Sequence, residues 1–171
     1  MIGCLSIVDE EVFCTRDAAG TTIQVLADAI EVIGDHGLAI RHVVQWNSRA
    51  ALYSYRPEGR TLVMAGRDGD AIYGLAVSRG ELNCVARIQR SEDSGFRWLR
   101  FIEHERDVLC VFENGIVCIT EILLIRWKRF DLLPDEFPEC VVDGKLYYHD
   151  NFDRRWWYDL MDGSEGGTRG V

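Results

Sequence analysis

The sequence predicts a mostly β fold, an antiparallel meander, sandwich or partly closed barrel carrying one packed α-helix at about residues 22–33. Three observations lead there. Runs rich in Val, Ile, Leu and Tyr dominate from His42 onward, and Gly- or Pro-bearing turns interrupt them at intervals of roughly 8–12 residues. Two dipeptides, Asn114-Gly115 and Asp143-Gly144, are type I′ hairpin signals, because both central positions of that turn need positive φ. Only the stretch 22–33 has polar residues at helical spacing.

In chain order, Ile2 to Val8 and Val12 to Thr15 read as short strands around the acidic turn Asp9-Glu10-Glu11. In the expected helix, Gln24, Asp28, Glu31 and Asp35 form one narrow polar stripe and the rest is apolar, which requires burial. Thr21 or Thr22 can cap its start and Gly34 its end. Segments 42–46, 51–56, 61–65 and 71–77 then read as strands. Leu82, Cys84, Ala86 and Ile88 alternate with Asn83, Arg87 and Gln89, as on a half-solvated antiparallel strand. Segments 96–102, 108–113, 116–125 and 127–130 follow. A turn at Asn114-Gly115 sets Glu113 opposite Ile116 and Cys110 opposite Ile119, so Cys110 and Cys118 project from opposite faces. Cys140–Val142 and Lys145–His149 flank the Asp143-Gly144 turn, and Arg154–Leu160 closes a single domain over residues 1–162. Residues 163–171 have linker composition and are expected to form a flexible tail.

A weak echo runs through the C-terminal half. Each hairpin glycine, Gly115 and Gly144, is followed after twelve residues by a tryptophan, Trp127 and Trp156, each preceded by arginine. Such turn-strand-Trp units look like β-propeller blades. A blade takes roughly 40–50 residues, so the chain has room for four at most, and a curved sheet with one helix is the simpler expectation.

Composition narrows the function classes. The 171 residues carry a net charge of −9, five of those charges after residue 110, so phosphate and anionic lipid are repelled. Direct nucleic-acid binding and membrane docking are therefore not expected, whereas a basic protein partner suits the charge. Of 19 basic residues only Lys128 and Lys145 are lysine. The six cysteines include no C-x-x-C pair and read as free thiols of a reducing, cytoplasmic protein. No apolar run approaches the ~20 residues of a membrane span, and the start Met-Ile-Gly-Cys lacks a signal-peptide pattern.

No nucleotide-binding, serine-hydrolase or zinc-protease motif occurs. Gly66-Arg67-Asp68-Gly69-Asp70 lacks the further ligands of a calcium loop and reads as a hairpin turn. His149-Asp150, Asp153 and the distant His36, His42 and His104 could ligate a metal only by tertiary convergence, so no metal or cofactor is expected. Glu121 inside the apolar run 116–125 is either a buried acid–base group or, more simply, a bulge. Arg154-Arg155-Trp156-Trp157-Tyr158 sets an aromatic and a guanidinium on both strand faces, of which one alone can be core. The acidic loop from Asp131 to Glu139 adds Asp135, Glu136 and Phe137.

The leading expectation is a non-catalytic protein-binding domain using Arg154, Trp156, Trp157, Tyr158, Phe137, Asp135 and Glu136. In one version it neutralises a basic partner as an immunity protein or inhibitor would. The alternatives are a small-molecule binder or enzyme in which Glu121, His104 and His149 converge, and a self-assembling structural subunit.

Overall fold

Whether a strand buries one face or both is written in its apolar pattern, and here the pattern sorts strands into layers. The computed structural model describes residues 3–6, 11–16, 19–26, 28–44, 50–56, 58–66, 71–87, 98–113, 115–130 and 136–168. All regular structure among them is β. The strands are β1 (Gly3–Ser6), β2 (Glu11–Arg16), β3 (Thr22–Leu26), β4 (Ala29–Ile33), β5 (Ala39–Val43), β6 (Ala50–Arg56), β7 (Thr61–Gly66), β8 (Ala71–Ala76) and β9 (Glu81–Arg87). Then come β10 (Trp98–His104), β11 (Asp107–Phe112), β12 (Gly115–Ile119), β13 (Ile125–Arg129), β14 (Glu136–Val142), β15 (Lys145–Asp150), β16 (Arg155–Asp159) and β17 (Glu165–Gly167).

They form four antiparallel sheets, each a meander: β2-β3-β4-β5, β6-β7-β8-β9 with β1 beside β6, β10-β11-β12-β13 and β14-β15-β16-β17. Consecutive sheets pack face to face through three cores. Ile23, Val25, Ile30 and Val32 of the first sheet meet Leu62, Met64 and Leu75 of the second. Val63, Ala65 and Ile72, on the other face of the second sheet, meet Phe101, Cys110, Val117 and Ile119 of the third. Leu109, Val111, Ile116 and Cys118 of the third then meet Leu146, Tyr148, Trp156 and Tyr158 of the fourth. Inner strands such as β7 and β12 are therefore buried residue after residue and read as unbroken apolar runs. The end sheets alternate buried and half-exposed positions, as in β3 and β15.

The structure corrects the expected helix. Residues 22–33 are the hairpin β3–β4, with Gln24 opposite Glu31 and Val25 opposite Ile30. The polar stripe has a second explanation: Gln24 and Glu31 share the outward face, while Asp28 and Asp35 lie outside the strands. Stacking of Ile23, Val25, Ile30 and Val32 on the second sheet overrides the local helical spacing.

Register is corrected in one hairpin. Phe112 pairs with Gly115 and Leu109 with Cys118, two places from the expected alignment. A two-residue shift preserves side-chain faces, so Cys110 and Cys118 still enter different cores. The Asp143-Gly144 turn forms as expected, with φ of 49° and 71° and Val142 opposite Lys145. The 29-residue echo is not a structural repeat, since Trp127 lies on the last strand of its sheet and Trp156 on the third.

Residues 165–167, expected within the tail, pair with Tyr158, Trp157 and Trp156 as β17. The preceding turn locks the last two sheets together. Trp127 Nε1 donates to the Leu160 carbonyl at 2.9 Å, and Arg129 Nε donates to the Gly163 carbonyl at 3.1 Å. Gly163 has φ +73°, and a Cβ there would lie 2.8 Å from the Trp127 ring. Among the described residues no helix is long and apolar enough to cross a membrane.

Candidate functional site

The fourth sheet decides which half of the Arg-Arg-Trp-Trp-Tyr segment faces out. Leu146 pairs with Tyr158 and Tyr148 with Trp156, and all four are buried against the third sheet. Alternation then turns Tyr147, Trp157, His149 and Arg155 to the opposite face. Trp156 and Tyr158 are thus core residues, 1% and 0% exposed, and Glu136 is buried as well. Burial also raises the Tyr148 phenol well above its ordinary pKa. Asp135 lies outside the described residues.

On the outward face, Trp157 is half-buried. Lys145 Nζ sits 4.0 Å from its ring centroid, and Gly166 leaves room beneath it, where a Cβ would approach the ring to 2.2 Å. Beside it lies a groove of about 280 Å³ lined by Cys140, Val142, Tyr147, Trp157, Glu139 and Arg155, with part of Trp156 reaching it. Glu139 and Arg155 form an ion pair at 3.3 Å. Val142 is 47% exposed and Phe137, stacked at a tilt on His149, is 40% exposed. β14 is an edge strand, and its pairing slips between Pro138 and Cys140, which accommodates a proline that cannot donate to the ladder.

Arg154 is held away from this groove at the β15–β16 turn. Its Nε donates to Asp150 Oδ2 at 2.6 Å, and its guanidinium covers the exposed Phe152 ring. Asp150 Oδ1 accepts from the backbone N–H groups of Phe152 and Arg154. Loss of solvation works to raise the Asp150 pKa, but these bonds and the Arg154 charge outweigh it and hold the carboxyl below the usual range. Of the expected binding residues, Trp157 and Phe137 lie on the outward face and Arg154 at the turn beside it, while Cys140, Val142, Tyr147 and Lys145, not among those expected, share that face. The signal was available in Leu146, the one aliphatic residue of its strand, which marks 146, 148 and their partners as inward.

A second concavity, about 630 Å³, opens between the second and third sheets and is lined by Tyr55, Arg56, Glu58, Glu103, Glu105, Arg106 and Glu121. Glu121 is not on a strand. It lies in the Thr120–Leu124 turn, paired with Arg106 at 3.2 Å. Arg56 donates to the Asp107 carbonyl, and its buried Nε lacks a hydrogen-bond partner among the described residues. Burial lowers the Arg56 pKa against the pull of Glu103 and Asp107. Glu103 accepts from the buried Ser54 hydroxyl at 2.6 Å. His149 is on the fourth sheet, away from Glu121, so the expected convergence of Glu121, His104 and His149 is not formed. Among the described residues no three His, Cys, Asp or Glu side chains group as metal ligands. The turn at 67–70, with Asp68 and Asp70, lies outside the described residues.

Four-stranded meanders stacked in chain order are the construction of β-propeller blades. Solved structures have the same arrangement: a streptogramin B lyase matches with a TM-score of 0.50 and 13% identity, over 94% of this chain and 59% of that one. A catalytically inactive variant of virginiamycin B lyase from Staphylococcus aureus with quinupristin matches equally, at 0.50 and 13%, over 99% of this chain and 74% of that one. The likeness is one of fold. The chain spans 59% of the length of the first of these neighbours. No protein-family model matches the sequence, and no curated protein resembles it in sequence.

Proposed function

We propose that the chain is a non-catalytic protein-binding domain that engages its partner through the outward face of the fourth sheet. One observation carries the reading. Trp157, Tyr147 and Val142 line an accessible groove on a sheet whose other face is already a closed core. Aromatic side chains beside the Arg155–Glu139 ion pair are the composition of an interface hot spot. Lys145 holds the indole in place, so little side-chain freedom is lost on binding. In the charge-driven version the partner is basic and the net charge of −9 steers its approach. The free thiols of Cys84, Cys110, Cys118 and Cys140 support a reducing compartment such as the cytoplasm.

The test is a photo-reactive residue in place of Val142, in cells that naturally produce the protein. A discrete protein adduct is expected, lost when Trp157→Ser is added. No adduct, or one indifferent to Trp157→Ser, overturns the reading.

The cleft at Arg56 favours a second reading, a site for a zwitterionic small molecule, since Arg56 and Arg106 line it together with Glu58, Glu103, Glu105 and Glu121. Thermal-shift screening of amino acids and betaines against wild type and Arg56→Gln tests it. A shift confined to wild type supports it, and no shift removes it.

A further inference from the structure

Resting on the reading of the fourth sheet's outward face as a protein-binding surface, we propose that its partner is a second copy of this chain. The copy presents the outward face of its first sheet, and two chains joined head to tail at both ends close a ring of eight sheets.

The three seams inside the chain are all made this way, the far face of one sheet against the near face of the next. Among the described residues, the first and fourth sheets each have one face on which no sheet packs. On the first sheet that face is opposite Ile23, Val25, Ile30 and Val32, and alternation assigns to it Leu26, Ile33 and Val43, the last 76% exposed. Arg41 on that face bonds Glu31 at 2.7 Å and Asp28 at 3.3 Å, and Arg16, opposite Thr22, donates to the Gly20 carbonyl. Arg155 and Glu139 compensate each other on the opposing face. Docking the two faces therefore buries apolar groups beside side chains that are already ion-paired.

The area is adequate. Four strands at about 4.8 Å spacing and five residues at about 3.3 Å rise make a face of about 19 by 17 Å. Two seams, each joining two such faces, cover about 1,300 Å², within the range of stable interfaces. A ring of eight sheets also falls within the 4–8 blades that propellers use. Closure matters, because a heterologous contact that does not close propagates into fibres.

Sedimentation velocity of the full chain from about 1 to about 100 µM tests the proposal. The mass should rise from 19.5 kDa towards twice that value. Added salt should strengthen association, since each copy carries −9, whereas salt weakens binding to a basic partner. Val43→Glu and Val142→Glu, both at exposed positions, should each leave monomers. An equimolar mixture of the two should associate more than either alone but less than wild type, because one of its two seams is then wild type on both sides. Wild type that stays at 19.5 kDa throughout overturns the proposal, and the mass of the Val142 cross-link then reports whether the surface serves another protein. Dimers broken by Val142→Glu and indifferent to Val43→Glu would be back to back, overturning the head-to-tail arrangement but keeping the fourth sheet as the binding face. Dimers indifferent to Val142→Glu contradict both.

Discussion

Ile116 and Ile119 lie three residues apart on β12, are both 0% exposed, and enter different cores. Replacing either by alanine removes three carbons. At about 0.8 kcal/mol per buried CH₂, transfer alone accounts for about 2.4 kcal/mol. The incompletely collapsed cavity adds about 1 kcal/mol, so each variant should lose about 3–4 kcal/mol. The two costs should agree while their locations differ. Ile116→Ala loosens the seam to the fourth sheet, and Ile119→Ala loosens the seam to the second. Hydrogen exchange read by mass spectrometry separates them, because stacked sheets open locally before they unfold globally. Ile116→Ala should speed exchange in β15 and β16 and spare β7 and β8, and Ile119→Ala should do the reverse. If both variants loosen the same sheets to the same extent, the stacking order is wrong.

Other expectations concern the last hairpins and the thiols. Gly163→Ala meets the Trp127 ring and a positive φ, and should cost about 1–3 kcal/mol in urea unfolding, with a shift in tryptophan emission. Asp150→Asn should lower the melting temperature at neutral pH. Because the folded-state pKa of Asp150 is depressed, its contribution is full above the unfolded value of about 3.9 and fades as pH falls through the folded one. The gap between wild type and variant should therefore close below about pH 4, and a gap constant with pH contradicts the assignment. Maleimide at pH 8 should label the exposed Cys84 and Cys140 while sparing Cys110 and Cys118. Burial pushes the Cys118 thiol up to about 12, with the Asp107 carboxylate adding to the effect.

The β class was legible because turn chemistry and strand composition are local, and the Asp143-Gly144 hairpin followed directly from two residues that tolerate positive φ. What the sequence concealed was set at long range. The stretch 22–33 satisfies helical and hairpin patterns alike, and only its packing on β7 and β8 decides between them. Asn114-Gly115 marks a turn, yet Gly115 pairs with Phe112 and opens β12, and because both registers put Ile116 and Cys118 on the same face, the burial pattern carries no signal for the shift. The choice between Trp156 and Trp157 needed the pairing of β15 with β16, which joins Tyr158 to Leu146. The unbroken apolar runs 62–65 and 116–119 were the unread clue to stacked layers, since a strand covered on both sides has no reason to alternate.

Hydroxyl-radical footprinting of the chain at low concentration addresses the outward orientation of the fourth sheet most directly. Trp157, Phe137 and Phe152 should oxidise readily while Trp156, Tyr148 and Tyr158 stay protected. Oxidation of Trp156 at the rate of Trp157, or protection of both, would contradict the face assignment on which the binding surface depends.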